Sequence, residues 1–285
     1  MITSNPPTAV IPLNKKVLLA LPFYKSTNPM TALCLMRLCD SRRASVLLNF
    51  GDAFISHSRN TCADHFLAST HEWMLMVDDD MILPFSDARV YKNYTGFDWV
   101  PDEFAAMNAI DRLLSHNKTL VGGLYFGRWP GAPPVYNEGG SPKEAEYARK
   151  APFNEIKATR WVGTGALLIN RQVFLDIEKK FPVLARGQNG MGGHWFSPSE
   201  HALLDSVTRI KDMLTDGPMT ADKCYKALSL SEAALADTRA NSSLGMGEDV
   251  VFSIRARQSG HIPYVDMGCL CGHVGQKVYG PKDGK

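Results

Sequence analysis

The stretch Trp73-Met74-Leu75-Met76-Val77-Asp78-Asp79-Asp80 decides the reading of the fold. Five apolar residues in succession fit a strand buried on both faces, and three carboxylates stop it abruptly. Upstream, Lys16 to Pro22 is another such run, and Ser45 to Phe50 a further strand with Gly51–Asp52 as its turn. Between these strands, Asn28–Pro29 supplies an N-cap and a proline at the first helical position, opening a helix to about Cys39. Ile55 to Ser69 reads as a helix with Cys62, Ala63 and Phe66 on one face. Strands alternating with helices of these lengths predict a parallel sheet covered on both faces. Ligands of such sheets sit beyond the carboxyl ends of the strands, where the three aspartates stand.

Downstream, Pro101 opens a helix with Asp102 and Glu103 in its first turn, leading to a strand at Thr119–Val121 that Gly122–Gly123 breaks. Residues 125–160, rich in Gly, Pro, aromatic and basic residues, read as a long irregular connection. Trp161 to Asn170 returns to strand character, and Asn170 caps a helix to about Lys179. Ser197 to Asn241 carries only helix signals. Ser197 with Glu200 and Ser229 with Glu232 have capping-box spacing, and Gly217–Pro218 parts the two halves. The expectation is a helical hairpin, 197–241, inserted into an α/β domain spanning 16–285, with residues 1–15 as an arm. Glu248 to Ser259 is a helix stopped by Gly260, and Ile262–Val265 and Gly268–Cys271 are short strands.

Composition narrows the function classes. With 45% hydrophobic and 21% charged residues, this 285-residue chain can bury a sizeable core. Its net charge of +2 is too mild to signal nucleic-acid or membrane binding by itself. The longest apolar run, Val17 to Phe23, is far short of the roughly 20 residues of a membrane span. Met1 to Asn14 has neither a basic start nor an apolar signal core, so a soluble, cytoplasmic protein is expected. The six cysteines form no C-x-x-C pair or zinc-ribbon spacing, and predict reduced, mostly buried thiols, with Cys269 and Cys271 on one face.

Three groups of residues carry chemistry. At a strand end Asp78 and Asp80 point to one side and Asp79 to the other, a partial oxygen shell for Mg²⁺ or Mn²⁺. Glu248–Asp249 follow Gly245-Met246-Gly247 at a helix start, fitting either dipole compensation or a general base. The dipole is expected to keep the pKa of Asp249 low. His273, between Gly272 and Gly275, fits a structural histidine or a metal ligand. Arg59–Asn60 can meet anionic groups or face solvent. The loop residues Arg128, Trp129, Tyr136, Lys143, Arg149, Lys150, Lys157 and Arg160 interleave charge with aromatics. They can grip a nucleic-acid backbone, hold a glycan, or form a solvated loop.

The ordered stretches VLLALPFY (17–24), SRN (58–60), MLMVDDDMILP (74–84), VGTGALLINRQVF (162–174), GEDVVFSIRARQSGHIPYVD (247–266) and CGHVG (271–275) together resemble GT-A glycosyltransferases, family 2 above all. They span most of residues 16–275 and leave 197–241 unmatched. The resemblance implies a Rossmann-like single domain with a mixed, mainly parallel sheet, acting as a nucleotide-sugar-dependent transferase. Pro22 and Tyr24 would border the nucleobase, and Arg59 the base or diphosphate. Asp78 and Asp80 would be the D-x-D acids, with Asp79 between them on the donor side. Asp80 would be the direct ligand of Mn²⁺ or Mg²⁺, and His273 would complete the shell. Trp161, Gly163, Thr164 and Gly165 would lie beside donor sugar and acceptor, with Arg128 and Trp129 on the acceptor side. Asp249 would be the base beside Glu248, and Lys277 would reach the diphosphate.

The implied donor is a UDP-sugar and the implied outcome inversion. The acceptor stays open among a hydroxylated DNA base, of the kind some viral glycosyltransferases modify, a glycan and a protein; nothing in the pattern sets an oligomeric state. A sugar-phosphate nucleotidyltransferase would need a Gly-rich phosphate loop where Leu21-Pro22-Phe23-Tyr24 stands. A non-catalytic nucleotide-sugar binding module is the reading from another class, to which the retained acids run counter.

Overall fold

The computed structural model describes residues 17–23, 26–40, 44–50, 54–129, 132–136, 142–186, 190, 192–197, 199–241, 247–275 and 278–280. In chain order these form β1 (Val17–Phe23), α1 (Pro29–Asp40), β2 (Ala44–Phe50), α2 (Ile55–Ala68), β3 (Trp73–Val77), β4 (Met81–Ile82) and α3 (Ala88–Thr95). Next come α4 (Asp102–Ala105), α5 (Ala109–Ser115), β5 (Leu120–Leu124), α6 (Pro142–Lys150), β6 (Ile156–Ala158), β7 (Ala166–Asn170) and α7 (Arg171–Lys180). The last elements are α8 (Ser199–Thr215), α9 (Ala221–Asn241), α10 (Glu248–Gln258), β8 (Tyr264–Leu270), β9 (Gly272–Val274) and β10 (Val278–Tyr279). The expected arm, together with Tyr24 and Lys277, lies outside the described residues.

A seven-stranded sheet runs in the order β2-β1-β3-β7-β5-β8-β6. β1 pairs in parallel with β2 and β3, and β5 in parallel with β8; β7 and β6 run against them. The fold is thus a mixed, mainly parallel α/β sheet of Rossmann type with a helical hairpin, α8–α9, as expected. Strand β3 is buried along its whole length, which explains its unbroken apolar run. A smaller sheet, β10-β9-β4, is antiparallel throughout and places Met81 opposite His273.

Several local expectations are corrected. Gly122 and Gly123 lie inside β5 and do not end it. A Cβ on Gly122 would stand 2.7 Å from Val162 Cγ2, and one on Gly123 2.7 Å from Cys271 Sγ. Glycine is required there by close packing, a tertiary constraint. Cys269 and Cys271 both press on Gly123, so they do share a face, and all six cysteines are free thiols. The 125–160 connection contains α6 and β6, and β7 begins only at Ala166. The helix after Pro101 lasts four residues before α5 restarts behind the Asn108 cap. The two short strands expected after Gly260 are one strand, β8. Ser229 and Glu232 fall within α9, so they cap nothing.

The hairpin is tied to the rest through α10. Arg255 is fully buried and forks onto Asp237 of α9, with Nη2–Oδ2 at 2.9 Å. It also donates to the carbonyls of His194, Trp195 and Ser197. Asn60 of α2 holds the same segment, donating to Ser197 Oγ at 2.8 Å and accepting from the Phe196 N–H at 2.9 Å.

Candidate functional site

The site begins where β3 stops. The Asp78 N–H donates to the Gly165 carbonyl at 3.2 Å, so the first aspartate is fixed to the turn preceding β7. Its Oδ1 accepts from Arg59 Nη2 at 2.7 Å, and the other arm of that guanidinium donates to Glu248 Oε1 at the start of α10. Arg59 is 3% exposed. Burial disfavours its charge, but Asp78 and Glu248 outweigh burial and push its pKa further up. A planar fork can span two carboxylates in this way, where a lysine could not. Arg59 thus clasps two acidic motifs far apart in sequence into one cluster.

Asp249, next to this clasp, departs from expectation. Its pKa is raised, first by burial and then by the negative charge of Glu248, against the opposing pull of Arg59. The expected lowering by the α10 dipole loses to the desolvation of this partly buried carboxyl. Asp249 Oδ1 accepts only from the Val250 N–H within its own first turn, at 2.8 Å, among the hydrogen bonds of the described residues.

Tyr125, a residue the sequence reading missed, sits behind the acids. Its hydroxyl accepts the Gly165 N–H at 3.0 Å, and its ring meets His273 edge-on at 5.6 Å. Burial first, then the charges of Asp78 and Asp249, push its pKa well up, so the hydroxyl keeps its proton. A Cβ on Gly163 would collide with that oxygen, and one on Gly165 would stand 3.0 Å from it. The Gly163-Thr164-Gly165 turn is glycine-flanked because Tyr125 fills the space beneath it.

The remaining aspartates face a different partner set. Asp80 Oδ2 lies 2.8 Å from Arg128 Nη2 and 3.4 Å from His273 Nε2. Strand pairing of β4 with β9, extended by the Val274 N–H donating to the Asp80 carbonyl at 2.8 Å, brings the histidine there. His273 Nδ1 lies 2.8 Å from the Phe126 carbonyl, which can only accept, and Nε2 lies 2.7 Å from Arg128 Nε, which can only donate. Nδ1 therefore donates to the carbonyl and the Nε2 lone pair accepts from Arg128, with Asp80 Oδ2 alongside. Asp79 has its pKa raised by burial and then by Asp80 and Asp78, while Arg128 offsets part of that.

These observations bear on a divalent ion. Among the described residues no three His, Cys, Asp or Glu side chains group as a metal shell. The expected set is divided, with Asp78 turned to Arg59 and Asp80 paired with His273. That pair still suits an ion. Asp80 Oδ1 is buried with no hydrogen-bond partner among the described residues. The 3.4 Å separation of Oδ2 and Nε2 is one that two ligands of a single ion can have, each about 2.1 Å from it. The Nδ1–H bond to a carbonyl is the orientation typical of a ligating histidine, and the carboxylate beside it suits Mn²⁺ or Mg²⁺.

Of the other expected site residues, Pro22 is buried at the end of β1 opposite Asn49, and Thr164 is 1% exposed. Trp161 is half-buried, and Trp129, next to Arg128 in the chain, is 58% exposed. The basic-aromatic loop is largely self-occupied: Tyr136 is buried, Lys157 sits over Tyr136 and Tyr147, and Arg149 over Phe126. A cavity of about 710 Å³ lies against the hairpin, lined by Met213, Tyr225 and Leu230 among others, and includes none of the clustered acids.

No family model and no curated protein matches the sequence. Similar solved structures include A197 from STIV, at 10% identity, a TM-score of 0.45, and coverage of 94% of this chain and 91% of that one. GalNAc-T7 with UDP, GalNAc and Mn²⁺ aligns at 9% identity and TM-score 0.36, over 95% of this chain and 44% of its own. Mannose-1-phosphate geranyltransferase from Thermus thermophilus aligns at 12% identity and TM-score 0.35, over 89% and 76%. Likeness at these levels carries no argument about activity.

Proposed function

We propose that the chain is a metal-assisted glycosyltransferase that moves a sugar from a nucleoside diphosphate to a hydroxyl acceptor with inversion. One observation carries the reading: Arg59 joins Asp78, at the carboxyl end of β3, to Glu248, at the start of α10, with Asp249 beside them. This puts the two acidic motifs of the sequence resemblance at one point, where an open α/β sheet takes its ligands.

Asp80 and His273 would hold Mn²⁺, which supplies charge to the diphosphate as it departs. The chain's own groups perform the rest. Glu248 is engaged by Arg59, which leaves Asp249 as the base. A raised pKa makes Asp249 a stronger proton acceptor than an ordinary aspartate. Its carboxylate takes the acceptor hydroxyl proton as that oxygen bonds to the anomeric carbon. The bond from that carbon to the diphosphate breaks, and its electron pair leaves with the nucleotide. Tyr125 keeps the 163–165 turn in place under the reacting sugar, and Trp129 offers an exposed stacking face to the acceptor.

Incubation with UDP-sugars and a panel of hydroxymethylated DNA, glycan and peptide acceptors, read by nucleotide release and label transfer, tests this. Acceptor-dependent release of UDP that disappears in Asp249→Asn is the expected result. Donor binding without release on any acceptor would favour the non-catalytic binding module.

A further inference from the structure

Arg128 occupies the two atoms a metal ion would use. Its Nη2 is 2.8 Å from Asp80 Oδ2 and its Nε 2.7 Å from His273 Nε2. The Nε2 lone pair can take a proton donor or a metal, not both. The side chain that holds it is 57% exposed, so it can swing away without disturbing the core. Its backbone neighbour Gly127 lies close against Ala132 and the Trp129 ring, so the backbone at Arg128 is held while the guanidinium is tied, among the described residues, only through the pair it would vacate.

We infer that Arg128 is an exchangeable cation: it closes Asp80 and His273 before the donor arrives, and passes to the diphosphate when the metal takes that pair. The inference rests on the metal-assisted reading above. Its electrostatic logic is that the consecutive acids Asp78, Asp79 and Asp80 repel one another and need a positive charge in either state, which Arg59 supplies at Asp78 and Arg128 at Asp80. A guanidinium released beside the ion is then positioned for phosphate oxygens, which its fork fits well. The device keeps the site from binding stray divalent ions tightly and couples metal uptake to the nucleotide.

The test is Mn²⁺ binding to the nucleotide-free full chain, followed by electron paramagnetic resonance of the free ion, and then UDP binding at saturating Mn²⁺ by calorimetry. Wild type, Arg128→Ala, Arg128→Lys and His273→Ala are compared. Arg128→Ala should bind Mn²⁺ on the order of tenfold more tightly, about 1.4 kcal/mol and the scale of a charge-assisted hydrogen bond. Arg128→Lys, which keeps charge but not the fork, should tighten it less. Arg128→Ala should also bind UDP on the order of tenfold more weakly. Equal Mn²⁺ affinity in wild type and Arg128→Ala, with His273→Ala abolishing it, overturns the exchange and leaves the metal reading standing. Tighter Mn²⁺ with unchanged UDP affinity overturns the transfer to phosphate. If neither wild type nor Arg128→Ala takes up Mn²⁺, with or without UDP, the metal reading fails and the exchange fails with it.

Discussion

As the proposed base, Asp249 would carry both the proton transfer and a cost to stability. Replacing it by Asn should lower turnover roughly 10²–10⁴-fold, the usual contribution of a positioned base, with donor affinity nearly unchanged. The acid limb of kcat/KM should fall at a pH above the ordinary aspartate value, because the base must be ionised and its pKa is raised. The same shift has a thermodynamic side. A group whose folded pKa exceeds its unfolded value favours the folded state at low pH and loses that contribution as pH rises through the folded pKa. At neutral pH the ionised Asp249 therefore costs stability, so Asp249→Asn should raise Tm there and leave it unchanged well below pH 3.8, the ordinary value. A lower Tm at neutral pH would show that the carboxylate is a structural partner instead. Arg59→Lys should impair activity and stability together, since the fork cannot be replaced; unfolding in urea and donor calorimetry measure the two effects. The aspartates and Glu248 stood out in the sequence because they follow β3 or begin α10 as acidic clusters. Tyr125 did not, since nothing in Leu124-Tyr125-Phe126 says that a hydroxyl fills the space under two glycines forty residues away.

At the scale of elements, α10 is where the hairpin meets the chemistry. Arg255 leaves no exposed surface, so Asp237→Ala would strand its charge in the interior. Breaking a buried pair from one side costs about 3–5 kcal/mol, which denaturant unfolding can read directly. Asp237→Ala combined with Arg255→Met should recover most of that loss, and failure to recover would mean the hairpin packs by other contacts. Replacing 197–241 by a short linker removes Asp237 together with the Ser197 carbonyl, so such a variant needs the Arg255 change as well. Strands β1 and β3 were readable to within a residue or so, because burial on both faces writes a continuous apolar run; β2 was equally readable although it is an edge strand with Val46 and Leu48 exposed. β4 and β9 were not: two and three residues carry no period, and β4 starts directly from the turn in which the Met81 N–H donates to the Asp78 carbonyl. Gly122–Gly123 misled for the opposite reason, as a local pattern of breakage produced by distant thiols and a valine.

For the whole molecule, the clustered groups come from α2, the end of β3, the segment after β5, the start of α10 and β9. A ligand that binds there touches both halves of the sheet and should resist global unfolding. With UDP and Mn²⁺ together at about 100 times their dissociation constant, stability should rise by about 2.7 kcal/mol. Scanning calorimetry with and without chelator checks this; an equal Tm in both would mean the nucleotide binds without the ion. No helix among the described residues is long and apolar enough to cross a membrane.

The pairing of β4 with β9 also has a meaning in time. Asp80 leaves the ribosome early and His273 late, and synthesis at 5–20 residues per second separates them by roughly 10–40 s. Throughout that interval the nascent chain carries its triple aspartate without the strand that delivers the histidine. Arg128, made about a quarter of the way through the same interval, is the first partner within reach of Asp80. The order in which the residues are made thus matches the order in which the proposed exchange would close the site and then admit the ion.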